Sequence, residues 1–338
     1  MENNFNKFFI YIFLLCATIV PAQEHTIPSP SFSFARSTAM GGAFTAVEDG
    51  IENILFNPAA MSSPGFFDND FSISFNPLGI GASAANLNGL SDRQKSQADY
   101  WLSLVGIFLK NVSISNPAVQ FSLLLSEDLR SESFENKNYS NLNTQGLLDN
   151  HYHAAAVRIS LAKQVSIGAS AYYFNHYENG EKLSGAFGTS YGIIMKPSAK
   201  MHAGISYFYF PDHVDSLMLD AYGIRKSTIN AGICYSPIYQ IKIALDVRNI
   251  SGEDASSSDQ IYAGLELLPS YRFAIRAGFN GNKNDKPSLS LGFGIGDFRP
   301  YQTESGFVFS NILLNYALRS EIDNFQYLYH SLTFLIRF

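Results

Sequence analysis

Most of this chain alternates, and the alternation persists over stretches too long for an ordinary soluble sheet. Fourteen candidate strands can be laid out between 71 and 338, most of them ten residues or longer. Strands of soluble proteins most often run to about 5 or 6 residues, whereas a tilted strand crossing a bilayer needs about 9 to 11. Within 325–338, Leu328, His330, Leu332, Phe334, Ile336 and Phe338 fall on one face and Tyr327, Tyr329, Ser331, Thr333, Leu335 and Arg337 on the other. Side chains of a strand point to opposite faces in turn, so such a segment meets two different surroundings.

Which surroundings these are follows from the charges. Charged residues make up only 15% of the chain and aromatic residues 14%, against about 25% charged in typical soluble domains. In the last third of the chain, Ile241, Ile243, Leu245 and Val247 oppose Lys242, Ala244, Asp246 and Arg248, and the following strands set Tyr262 and Glu266, then Arg272 and Arg276, on the charged side. An Arg or Lys facing mid-bilayer lipid costs about 2–4 kcal/mol, so the charged face must be the lumen. The sequence therefore predicts an all-β fold, a single closed antiparallel transmembrane β-barrel of about 14 strands. An even number of strands closes such a barrel without an edge exposed to lipid. Its lumen charge set is Arg158, Lys242, Asp246, Arg248, Glu266, Arg272, Arg276, Arg319 and Arg337.

Turn chemistry divides two rims. Short connections are expected at Ala162 to Gln164, Pro197 to Ala199, Pro237-Ile238 and Pro269-Ser270, and longer polar ones at Glu135 to Asn150, Asp212 to Tyr222, Ser251 to Asp259 and Asn280 to Lys286. One candidate strand covers 98–109 and the next runs unbroken over 112–134. Aromatic clusters near strand ends fit interfacial girdles. Their alternate members Tyr172, Phe174, Phe208 and Phe210 should point inward, either lining an apolar ligand site or filling the barrel.

Residues 1–22 read as a secretory signal peptide: Lys7, an apolar run from Phe8 to Val20, and a small residue at Ala22 before Gln23. Cys16 falls in that segment, which leaves Cys234 as the one cysteine of the remainder and excludes an internal disulfide or a Cys-based zinc site. The net charge of -6 argues against nucleic acid as a partner. Segment 23–66 does not alternate, and 67–338 is assigned to the barrel.

The 23–66 segment carries Ala39, Met40, Gly41 and Gly42, then the acids Glu48, Asp49 and Glu52, then Asn57-Pro58-Ala59. Its pattern AMGGAFTAVEDG…NPA resembles the N-terminal segment of the long-chain fatty acid transporter (FadL) superfamily, especially the PorV/PorQ branch. The apolar ending Phe334, Ile336 and Phe338 likewise resembles the C-terminal signal by which outer-membrane barrels are recognised for insertion. The resemblance implies an N-terminal hatch folded into the lumen, an outer-membrane location, and contact with outer-membrane lipid and the barrel-assembly machinery. By family it implies either an accessory role in type IX protein secretion, with secretion-system proteins or secreted cargo as partners, or uptake of hydrophobic small molecules past a movable hatch. Lumen arginines exceed lumen acids in the predicted set, so an anionic partner is expected there. The hatch acids are one candidate, and wall acids with water are the other.

No catalytic constellation is expected. His151 and His153 share a strand face, but no third ligand accompanies them. The glycines of GFGIG, Gly292 to Gly296, precede no helix and serve better as room for a plug or a close neighbour strand. Neither GxSxG nor a nucleophile with its base stands out. The sequence thus predicts no enzyme, no metal and no cofactor.

Overall fold

The computed structural model describes residues 25–28, 35–48, 51–61, 70–75, 111–116, 118–128, 150–178, 181–209, 228–250, 260–282, 287–296, 298, 311–322 and 324–337. A short strand, β1 (His25–Pro28), precedes a one-turn helix, α1 (Ala35–Ala39), and two 3-10 turns at Ile51–Leu55 and Pro58–Ala60. The remaining strands follow in order: β2 (Asp70–Phe75), β3 (Asn111–Ser115), β4 (Val119–Asp128), β5 (Asn150–Ala162), β6 (Val165–Glu178), β7 (Glu181–Ser198) and β8 (Met201–Tyr209). Then come β9 (Thr228–Ile238), β10 (Ile241–Arg248), β11 (Gln260–Ser270), β12 (Phe273–Asn282), β13 (Ser288–Ile295), β14 (Asn311–Glu321) and β15 (Asn324–Arg337).

Every strand from β2 to β15 pairs antiparallel with its sequence neighbours, and β15 also pairs with β2, from Phe334 opposite Phe75 to Arg337 opposite Ser72. The sheet is therefore a closed ring of fourteen strands. The edge of β15 that faces β2 is shared: its first half, Tyr327 to His330, carries β1 in parallel register.

Burial follows the alternation. In β10, Ala244, Asp246 and Arg248 are buried while Ile243, Leu245 and Val247 are exposed. In β11, Tyr262 and Glu266 are buried and Ile261 is exposed. The same outward apolar face continues through Leu161, Tyr191, Ile193, Ile205, Ile233 and Leu291, each largely exposed on the barrel wall. An apolar belt of that extent is unstable in water and matches the lipid-facing band of a membrane barrel. In β15, Tyr329, Ser331 and Thr333 are buried and Phe334 and Ile336 lie half-buried on the opposite face.

One strand assignment departs from the sequence reading. The stretch expected as one strand over 112–134 divides into β3 and β4, because the Asn116 side chain accepts hydrogen bonds from the N–H groups of Ala118 (2.9 Å) and Val119 (2.8 Å) and so makes an Asx turn. The stretch 98–109 lies outside the described residues.

The short turns also fall later than expected, at Ala199-Lys200, Tyr239-Gln240 and Tyr271-Arg272. Pro197, Pro237 and Pro269 lie inside strands, each at a register shift just before the turn. A bulge removes the need for the N–H that proline lacks. The preceding residues donate across to the neighbouring turn: Lys196 to the Gln164 carbonyl (2.8 Å), Ser236 to Lys200 (2.7 Å) and Leu268 to Gln240 (2.8 Å). Arg272 is thereby carried out of the lumen wall into an exposed turn, which corrects its place in the predicted charge set.

The hatch residues 35–48 and 51–61 cross the inside of this ring. α1 packs on β12 to β15, the 3-10 turn at Pro58–Ala60 packs on β5, β6 and β7, and Ile51–Leu55 touches β3, β4 and β5. Met40, Ala43, Phe44, Ala46, Val47 and Ile54 have no exposed surface.

Candidate functional site: the hatch and the lumen wall

The hatch turns sharply at Gly41 and Gly42, whose φ values of 64° and 84° lie in the left-handed region that glycine reaches without penalty. Beyond it, Asn57 caps the Pro58–Ala60 turn: its Oδ1 accepts from the Ala59 N–H (3.0 Å), and its Nδ2 donates to the Thr45 carbonyl (2.8 Å) and the wall carbonyl of Ile193 (3.2 Å). Pro58 follows where the first helical position needs no donor. The Asn57-Pro58-Ala59 triplet therefore folds the hatch and fastens it to β7.

The wall is cut to receive this backbone. A Cβ built on Gly168 would fall on Pro58 and Ala59, one on Gly192 on the Asn57 side chain, one on Gly204 on the Thr45 carbonyl, and one on Gly278 on the Met40-Gly41 peptide. Gly264 meets Met40 and Gly292 meets Ala39 in the same way. Several of these glycines are direct cross-strand partners, Gly168 with Gly192, Gly204 with Gly232 and Gly264 with Gly278. Glycine weakens a strand interior, so paired glycines are explained by what lies against them.

Charge fastens the hatch at two places. Glu48 of the hatch accepts from Arg158 (2.9 Å) and pairs with Lys196 (2.5 Å), with His202 Nδ1 3.9 Å away. Arg158 also donates through Nε to the Ala59 carbonyl (3.0 Å) and through a terminal nitrogen to Ser166 Oγ (2.8 Å). On the opposite side the polarity reverses. Arg36 of the hatch makes a two-pronged pair with wall Glu266, at 2.8 and 2.7 Å. The same carboxylate accepts from Arg276 (2.7 Å) and faces Lys242 (3.4 Å). Arg276 further donates to Asn315 (2.8 Å).

Between these ends, Asp246 Oδ2 accepts from the N–H groups of Phe44 and Thr45, both at 2.8 Å. Arg248 donates to the Gly42 carbonyl and lies over the Tyr262 ring at 4.0 Å and the Phe56 ring at 5.0 Å. The hatch is thus held by its backbone as well as by its charges.

Of the other residues singled out in the sequence, Glu52 accepts from the Ser37 N–H within the hatch (3.0 Å). Arg319 donates to Ser288 Oγ (3.0 Å) near the long-connection rim. Asp49, Phe338 and the Arg337 side chain lie outside the described residues, as does Phe210. Among the described residues no three His, Cys, Asp or Glu side chains converge as a metal site. Arg36, Lys196 and His202 were not singled out in the sequence. Arg36 precedes the small-residue motif by only a few positions, and its basic charge in an acid-bearing segment was the available signal.

The lumen is chemically two-sided. Toward the long-connection end, Tyr152, Tyr172, Phe174 and Phe208 point inward and are almost fully buried. Tyr172 and Phe174 stack with centroids 6.1 Å apart, Tyr152 tilts against Phe174 at 5.5 Å, and Phe208 lies 6.4 Å from Tyr172. With Leu124, Ile54, Phe44 and Phe56 they form one apolar cluster with the hatch, and the Tyr172 hydroxyl donates to the Ile54 carbonyl (2.6 Å). Toward the short-turn end lie Arg158, Lys196, His202, Lys242, Glu266 and Arg276.

No family model matches the sequence, and no curated relative matches it. Among solved structures, the chain is similar to the toluene transporter TbuX of Ralstonia pickettii, with 13% identity over 89% of this chain and 96% of that one and a TM-score of 0.46. It is also similar to the monoaromatic hydrocarbon channel CymD (13% identity, 89% and 95% covered, TM-score 0.45). A deletion variant of the monoaromatic hydrocarbon channel TodX aligns at 12% identity over 90% and 96% of the two chains, with a TM-score of 0.47.

Proposed function

We propose that this protein is a non-enzymatic outer-membrane barrel that takes up apolar small molecules past its hatch. The observation that supports this reading is the two-sided lumen. A water-filled pore has a polar interior, whereas here Tyr152, Tyr172, Phe174 and Phe208 turn an aromatic surface inward and cover one side of the hatch. An apolar solute that parts this ring packing from the long-connection end is in apolar surroundings before it reaches the charged pairs of the hatch. Apolar walls with a few fixed polar groups, here the Tyr172 and Tyr152 hydroxyls, are the usual make-up of a small-molecule site.

A second reading is an accessory role in type IX protein secretion, as the hatch motif's likeness to the PorV/PorQ branch implies. The close fit of wall glycines to the hatch supports it, because a permanently closed lumen leaves the rims and loops to act on protein partners. A deletion strain separates the two. Slower uptake of toluene-like or fatty solutes with normal surface proteins supports transport; loss of secreted, surface-attached proteins with normal uptake supports secretion and overturns the first reading.

A further inference from the structure

We infer that the short-turn face of the barrel is a docking surface for an acidic peptide segment of a partner protein. The chain as a whole carries a net charge of -6, yet its described short-turn end is basic. Lys163, Lys200 and Arg272 occupy the tips of three of the four two-residue turns from β5–β6 to β11–β12, the fourth being the uncharged Tyr239-Gln240, and are exposed. Just inside the mouth, Lys196, His202 and Lys242 are partly exposed, with side-chain exposures of 13%, 25% and 22%. The acids that face them there, Glu48 and Glu266, are almost wholly buried at 4%. These two carboxylates are shared among Arg158, Lys196, Arg36, Arg276 and Lys242, so positive charge stays in excess at the mouth. The longer connection at this end, 296–310, adds Asp297, Arg299 and Glu304, and β2 begins at this end with Asp70, so the basic excess lies along the row of turns from β5–β6 to β11–β12.

The opposite end carries the compensating acids. Asp and Glu outnumber Lys and Arg in the connections 129–149 and 210–227, and 249–259 carries Glu253, Asp254 and Asp259 with no Lys or Arg. The barrel is therefore a charge dipole along its axis, and such a field steers a ligand of opposite sign to one face.

Geometry decides among anions. The turn tips run from the β5–β6 hairpin to the β11–β12 hairpin, six strand spacings apart, or roughly 30 Å at about 4.8 Å per strand. A free phosphate spans one such interval. An extended acidic peptide of about nine residues covers the row. A lipid surface reaches the turn tips but not Lys196, His202 and Lys242, whose side chains sit on the lumen face. Barrels of this type place their short turns in the periplasm, so the partner would be periplasmic.

The test uses the full-length protein purified in detergent, which reads binding whatever the orientation in a cell. A fluorescent deca-glutamate peptide should bind, with an affinity that falls steeply as salt rises. The triple variant Lys163→Glu, Lys200→Glu, Arg272→Glu, all at exposed turns away from the hatch, should weaken it by about tenfold or more, through slower association. A separate charge reversal at Asp254 and Asp259 should leave it unchanged. Equal binding by the triple variant overturns the inference. So does full competition by low-millimolar inorganic phosphate, which marks a small-anion site, or recruitment to phosphatidylglycerol vesicles that exceeds peptide binding.

Discussion

Glu266 shows how much one residue carries. Its carboxylate is shared by Arg36 from the hatch and Arg276 from the wall, with Lys242 close by. Removing it leaves buried guanidinium groups facing each other. Such a break costs roughly 3–5 kcal/mol, because desolvation of the remaining charges is no longer offset. Glu266→Ala should therefore unfold at markedly lower denaturant than the parent, followed by loss of the heat-modifiable band on gels, whereas Leu245→Lys on the lipid face should cost about 2–4 kcal/mol by a different route, unfavourable contact with lipid. Gly278 poses a steric test. A Val there would place its Cβ on the Met40-Gly41 peptide, so Gly278→Val should displace the hatch and raise conductance in planar bilayers. The neighbouring Ala277→Val, facing outward, should leave both stability and conductance near the parent's.

At the scale of elements, the strands were legible because period-2 alternation is set by the pleat and by two solvents, and both act on every residue. Turn positions were less legible. Proline reads in sequence as a turn, but Pro197, Pro237 and Pro269 mark bulges one step earlier, where a residue falls outside the ladder. That misreading moved Arg272 from an exposed tip into the lumen set. The hatch contact was legible in part: Glu48 drew notice as an acid, while its partner Lys196 continues the inward positions of β7 but sits beside Pro197, where the sequence reads as a turn. Asn57 gives an element-scale prediction. Asn57→Asp keeps the cap to Ala59 but loses the Nδ2 bonds to Thr45 and Ile193; Asn57→Ala loses all three. Asn57→Ala should lose about 2–3 kcal/mol, because the buried Ala59 N–H loses its acceptor and the Thr45 and Ile193 carbonyls lose their donor. Asn57→Asp should be weaker still at neutral pH, since it turns a buried carboxylate oxygen onto those two carbonyls. Urea unfolding in detergent reads the order, and an Asp variant more stable than Ala would contradict it.

For the whole molecule, the open matter is whether a wall shaped around its hatch still lets the hatch move. Glycine pairs and two ionic ends make the seated state tight, while the proposed uptake needs the ring packing on one side of the hatch to part. These demands conflict only if transport requires a large displacement. Ala39 of α1 and Ala317 of β14 belong to one buried cluster with Ala35, so Ala39→Cys with Ala317→Cys places two thiols side by side between hatch and wall. The natural cysteines, Cys16 and the Cys234 buried on β9, are first replaced by Ala to keep the pairing unambiguous. Oxidation of the pair should then halt uptake of an apolar solute to the level of a deletion strain, and reduction should restore it, if the hatch moves during transport. Uptake that is indifferent to the cross-link would place the solute's path elsewhere. Secretion that stays normal in both redox states, with uptake already absent in the reduced protein, would show that this barrel works with its hatch permanently in place, so that its function lies at the rims where its charge is already divided.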